Sequence, residues 1–237
     1  MADDRLIVAL DVKTLTDMQQ IVDNLEESVS YYKVGMELFY AAGESTVKYL
    51  RDKGKSVFLD LKLHDIPNTV AHGVRSLTEL GVQIITLHGQ GGRVMMAQAV
   101  DMAKAAAAEF GVERPKLLAI TVLTSFDDEN WEAIGGQLPI ADQVVRLAKL
   151  AQDAGMDGVV ASPLEAERIR QVCGDDFLIV TPGVRPAFAA SDDQKRVATP
   201  AGALRSGASA LVIGRPVTQA ADPREAVKLI TEEMEAS

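Results

Sequence analysis

The sequence predicts an α/β fold, a (β/α)8 TIM barrel built as a single domain over residues 1–237. Three observations carry this expectation. Short apolar runs rich in Val, Ile and Leu alternate with longer stretches of helical periodicity along the chain, as in a parallel sheet buried on both faces. The strand candidates number eight, one for each unit of a closed barrel. The length of 237 residues approaches the roughly 250 typical of that fold. A doubly wound open sheet is the alternative that the same alternation permits. No linker or low-complexity segment marks a second domain.

The first strand is Leu6–Leu10, an unbroken apolar run, and Leu15–Leu25 follows with apolar residues at helical spacing. Tyr31–Val34 and Glu44–Lys53 form the second unit, and Ser56–Leu61 and Asn68–Leu80 the third. Gln83–Leu87 leads into the longest helical stretch, Gly92–Phe110. Lys116–Val122 pairs with Ala141–Ala154, and Asp157–Ala161 with Pro163–Val172. Phe177–Thr181 precedes Ala201–Ser206, and Ala210–Ile213 precedes Arg224–Glu235. Each strand candidate is short and apolar or β-branched, and each helical one is longer and periodic.

Composition narrows the function classes. The single cysteine, Cys173, permits no internal disulfide and points to a reducing compartment, so a cytoplasmic location is expected. At the end of a helical stretch, Cys173 reads as a spectator rather than a nucleophile. The charged start Met1-Ala2-Asp3-Asp4-Arg5 runs straight into a strand, unlike a secretory leader. No apolar run nears the roughly 18 residues of a membrane span. A net charge of −10 argues against nucleic acid as a partner. It leaves room for an anionic small ligand held by a few local donors.

Active sites of such barrels lie at the C-terminal ends of the strands. The first strand ends in Asp11 and the second carries Lys33. The third supplies Asp60, Lys62 and, just beyond, Asp65. The fourth ends in His88-Gly89-Gln90-Gly91-Gly92 and the fifth leads to Thr124-Ser125. The seventh leads to Thr181-Pro182-Gly183-Val184-Arg185, and the eighth to Gly214-Arg215.

Asp60 and Lys62 share one face of a strand by simple alternation. Two charges on a buried strand are costly unless they pair or work. A lysine among carboxylates stays protonated, which suits a proton donor facing a carbanion and suits a structural ion pair equally well. With Lys33 and Asp65 the signs alternate along a row. No serine or cysteine stands beside a paired base, and His64, His72 and His88 lack metal-ligand spacing, so no metal is expected. His64 reads as a packing residue or a ligand contact, and His88 as a satisfied strand-end histidine. Gly214-Arg215 and the loop after the seventh strand suit a phosphate, through backbone N–H groups and bidentate arginine contacts. The segment from Gly183 to Thr199 is either a lid or a solvated loop. Thr124 and Ser125 either bind a polar ring edge or cap the segment that follows.

Asp60-Leu61-Lys62-Leu63-His64-Asp65-Ile66-Pro67-Asn68-Thr69-Val70 closely resembles the signature of the orotidine 5'-monophosphate decarboxylase family. The resemblance extends to Ala9-Leu10-Asp11, Lys33-Val34-Gly35, Leu87-His88-Gly89, Leu123-Thr124-Ser125, Thr181-Pro182-Gly183-Val184-Arg185 and Ile213-Gly214-Arg215, spaced as in the compact bacterial branch. It implies a homodimeric carboxy-lyase of pyrimidine biosynthesis that needs no cofactor and removes CO2 from C6 of orotidine 5'-monophosphate to give UMP. Carried onto this sequence, it implies that Lys62 protonates C6 and Asp60 sits against the leaving carboxylate. Lys33 completes the row and meets the ribose, whose hydroxyls Asp11 binds. Asp65 enters the neighbouring subunit's site, with Ile66 and Thr69 nearby. Thr124, ahead of Ser125, contacts the pyrimidine edge, and Arg185, Gln194, Gly214 and Arg215 hold the phosphate.

Two rival readings share part of this pattern. Sugar-phosphate enzymes resembling 3-keto-L-gulonate 6-phosphate decarboxylase or hexulose-phosphate synthase share the Asp-x-Lys-x-x-Asp motif but use Mg2+, with a glutamate where this chain has Lys33. A non-catalytic nucleotide-phosphate-binding barrel is the other, and it has no need of a stored row of charges.

Overall fold

Strand, turn and helix succeed one another eight times in the computed structural model, which describes residues 2–189 and 198–236. The first half runs β1 (Leu6–Ala9), α1 (Leu15–Leu25), β2 (Tyr31–Gly35), α2 (Met36–Ala42), α3 (Ser45–Asp52), β3 (Ser56–Leu63), α4 (Pro67–Glu79), β4 (Ile84–His88) and α5 (Gly92–Phe110). The second half runs β5 (Lys116–Ile120), α6 (Asp128–Ala133), α7 (Ile140–Asp153), β6 (Gly158–Val160), α8 (Pro163–Cys173), β7 (Leu178–Thr181), α9 (Pro200–Arg205), β8 (Ala210–Ile213), α10 (Arg215–Thr218) and α11 (Pro223–Glu235). Every strand is parallel to its neighbours, and β1 pairs with β8 to close the barrel. The open-sheet alternative is thereby excluded.

Alternation along the strands builds two apolar shells. Ile7, Ala9, Phe58, Ile84, Leu118, Val180 and Val212 fill the barrel interior. Val8, Leu59, Ile85, Leu87 and Ile179 belong to the larger cluster that joins the strands to the helices. Helix starts follow capping chemistry: Thr14 accepts from the Asp17 N–H, Ser162 from Leu164, and Asp222 from Arg224 and Glu225. Among the described residues no helix is long and apolar enough to cross a membrane.

The β3–β4 ladder is irregular where it matters most. Leu59 pairs with Ile85, yet the next pair is Leu63 with Leu87. Four steps on β3 therefore face two on β4, a bulge of the kind found beside active sites. Lys62 lies within it at φ 52°, a left-handed conformation that non-glycine residues seldom adopt. Simple alternation on β3 thus stops short of Lys62, and its side chain is aimed by the bulge.

Candidate active site

The C-terminal ends of the strands enclose a cavity of about 280 Å³. Its wall includes Asp11, Lys33, Asp60, Lys62, Thr124, Arg185, Gly214 and Arg215, all expected from the sequence. Phe58, Ile120, Val160 and Val212 form its apolar floor.

The charges form a connected row. Lys62 Nζ donates to Asp60 Oδ2 at 2.7 Å. Lys33 Nζ lies 3.6 Å from the same oxygen and donates to Asp11 Oδ1 at 3.1 Å. Asp60 Oδ1 accepts from Thr86 Oγ1 at 2.9 Å. Burial pushes the Asp60 carboxyl up, but the Lys33 and Lys62 charges and the hydrogen bonds from Lys62 and Thr86 outweigh it. The net effect holds Asp60 below the usual carboxylate range, so it is charged at neutral pH. The row therefore sets two lysines against two carboxylates, with Asp60 buried and Asp11 at the open rim.

Asp65 does not join that row within its own chain. It is exposed, and its carboxylate accepts from the N–H of Ile66 at 2.6 Å. Ile66 and Thr69 are likewise exposed, and none of the three lies on the cavity wall. The second carboxylate of the row is Asp11. Thr124 lines the cavity whereas Ser125 is exposed and off the wall. Capping of α6 falls to Asp127, which accepts from the Asn130 N–H, and not to Ser125. Gln194 lies outside the described residues, as does much of the segment from Gly183 to Thr199. At its two ends, Val184 bridges to Ala198, and the Arg185 N–H donates to the Ala198 carbonyl at 2.9 Å. A short helix, α10, follows Gly214, as in barrels that bind phosphate after strands seven and eight.

His88 ends β4, its ring centroid 5.2 Å from that of His64. Burial lowers its pKa, and the His64 and Lys62 charges lower it further against the pull of Asp60. His88 is thus held neutral at physiological pH.

Two further residues bear on the row: Thr86, which the sequence pattern does not single out, and Gly35, which enters only as part of Lys33-Val34-Gly35. Thr86, fully buried on β4, ties Asp60 to the bulge. Its only signal was a lone hydroxyl within the apolar run Ile84-Ile85-Thr86-Leu87. Gly35 closes β2, where an added Cβ would lie 3.2 Å from Lys33 Nζ.

Comparison with known proteins places these features in context. A family model described as Orotidine 5'-phosphate decarboxylase / HUMPS family matches residues 4–230. A relative from Trichlorobacter lovleyi named orotidine 5'-phosphate decarboxylase is 52% identical over 236 residues, covering 99% of this chain and 97% of its own. One of the same name from Geobacter sulfurreducens is 50% identical over 236 residues, covering 99% and 98%. A crystal structure of orotidine 5'-phosphate decarboxylase from Lactobacillus acidophilus superposes with a TM-score of 0.87 at 44% identity, covering 98% of this chain and 99% of that one.

Proposed function

The chain belongs to the orotidine 5'-phosphate decarboxylase / HUMPS family, and we propose that this carboxy-lyase converts orotidine 5'-monophosphate to UMP and CO2 without a cofactor, Lys62 supplying the proton. The C6–carboxylate bond breaks and its electron pair stays on C6. The Lys62 ammonium, fixed by Asp60, stabilises that carbanion and passes a proton to C6. The neutral amine then takes a proton from solvent. Asp60 stands where the substrate carboxylate enters, and their repulsion is relieved as CO2 departs.

The remaining wall residues hold the parts of the substrate that do not react. Asp11 and Lys33 take the ribose hydroxyls, and Thr124 the pyrimidine edge. Arg185, Gly214 and Arg215, with Gln194, take the phosphate. Binding energy from a phosphate remote from C6 can be used to orient the reacting ring. A homodimer completes the site: the partner subunit's Asp65 enters it, with the partner's Ile66 and Thr69 beside it. Support comes from the exposure of all three residues and their position off their own cavity. Ile66 is 65% exposed, an apolar side chain suited to cover by a second subunit.

The observation that carries this reading is the pair of lysines on Asp60. A magnesium-dependent sugar-phosphate enzyme would need acidic groups free to bind the ion. Here Lys33 occupies the space between Asp11 and Asp60, and its charge repels a cation. Turnover of orotidine 5'-monophosphate with excess chelator is the test. Full activity supports the reading, and a requirement for added Mg2+ contradicts it.

A further inference from the structure

We propose that Thr86 is a positioning residue for the decarboxylation, the side chain through which β4 sets both Asp60 and the left-handed backbone at Lys62. The inference rests on the function proposed above.

The bulge in β3 leaves Lys62 without a main-chain partner in the β3–β4 ladder, because pairing jumps from Leu59–Ile85 to Leu63–Leu87. Thr86 supplies the missing acceptor: the Lys62 N–H donates to its Oγ1 at 3.0 Å. The same hydroxyl donates its proton to Asp60 Oδ1 at 2.9 Å. One atom therefore holds the backbone of the proton donor and one oxygen of the carboxylate that orients its ammonium. Lys62 Nζ occupies the other oxygen at 2.7 Å. The ring Lys62 N–H, Thr86 hydroxyl, Asp60 carboxylate, Lys62 ammonium closes on itself, so each bond polarises the next.

Threonine suits this task. Its branched Cβ restricts χ1, and its hydroxyl both accepts and donates. Thr86 is fully buried and absent from the cavity wall, so it does not touch substrate. The left-handed turn at Lys62 is strained for a non-glycine residue and persists only where its surroundings over-determine it.

The test compares Thr86→Val, which keeps the shape and loses the hydroxyl, with Thr86→Ser, which keeps the hydroxyl. Thr86→Val is expected to lower kcat by about tenfold or more, with the KM for orotidine 5'-monophosphate and the affinity for UMP within about threefold. The acid limb of its kcat–pH profile should move to higher pH, since Asp60 loses a hydrogen bond to its charged form. Thr86→Ser should restore both. A structural role alone would leave the acid limb in place. Hydrogen exchange at the Lys62 amide reads the same contact without turnover: faster in Thr86→Val, restored in Thr86→Ser. Thr86→Ala takes the place of a Val variant that does not fold. Equal losses in the Val and Ser variants, or unchanged kcat and unchanged Lys62 exchange in Thr86→Val, overturn the proposal. Inactivity of the wild type on orotidine 5'-monophosphate overturns the function instead, and the exchange measurement then decides the role of Thr86.

Discussion

Lys62 Nζ sits 2.7 Å from Asp60 Oδ2, and the backbone between the two residues turns left-handed at Lys62. The contact is preset: both side chains are largely shielded, with 25% and 10% of their surfaces exposed. Ordering an ammonium on a long flexible side chain costs rotamer entropy, and here folding meets that cost before substrate arrives. Asp60 charged below the usual range means the row carries no net charge of its own.

The end of β2 protects the same row by being glycine. A Cβ at Gly35 would come 3.2 Å from Lys33 Nζ and 3.5 Å from Asp11 Oδ1, while its φ of −93° is open to any residue. Gly35→Ala should therefore fold and displace Lys33. Steady-state kinetics should show kcat/KM reduced by about tenfold or more. A thermal melt should show Tm within a few degrees of wild type. Unchanged kinetics would mean that the row tolerates displacement.

His88 should make stability depend on pH. Its folded pKa lies below the unfolded value of about 6.5. Above that value both states are neutral and stability is at its full level. As pH falls from about 6.5 toward the lowered folded pKa, the unfolded chain takes the proton first and stability declines. Urea midpoints at about pH 7.5 and pH 5.5 should differ less in His88→Asn than in the wild type. An identical difference in both would remove His88 as the cause.

A shared active site predicts complementation. Lys62→Ala and Asp65→Ala are each expected to be inactive, because either change leaves both sites of a homodimer incomplete. Mixed under conditions of subunit exchange, they form heterodimers in which one site has both residues and the other has neither. Activity should return to about a quarter of wild type at equal mixing, since half the molecules are mixed and half their sites complete. No return despite demonstrated exchange would place Asp65 outside the neighbouring site.

The strands were legible because their residues carry a local signal. Ala210–Ile213 is found as read, and Ser56–Leu61 lengthens only to Leu63. Asp11, Lys33, Asp60 and Arg215 could be placed at one mouth because a barrel converts strand ends into a rim. Helices Met36–Ala42, Asp128–Ala133 and Arg215–Thr218 were not anticipated: at two turns or fewer they show too little periodicity to register. The bulge at Lys62 was invisible for a different reason. The Lys62 N–H within it pairs with the hydroxyl of Thr86, 24 residues away, and register with a neighbouring strand leaves no mark on local pattern. Asp65 read as part of the row because sequence proximity to Lys62 stood in for distance, and the loop turns its carboxylate onto Ile66 instead.

Lys62 as proton donor is the claim on which the rest depends, and Lys62→Arg tests it most directly. Arginine keeps the positive charge beside Asp60 but does not give up its proton in a protein. Decarboxylation of orotidine 5'-monophosphate by Lys62→Arg should fall by about 10,000-fold or more, with UMP binding and Tm close to wild type. Turnover within about tenfold of wild type would show that charge alone suffices and would contradict proton delivery from Lys62.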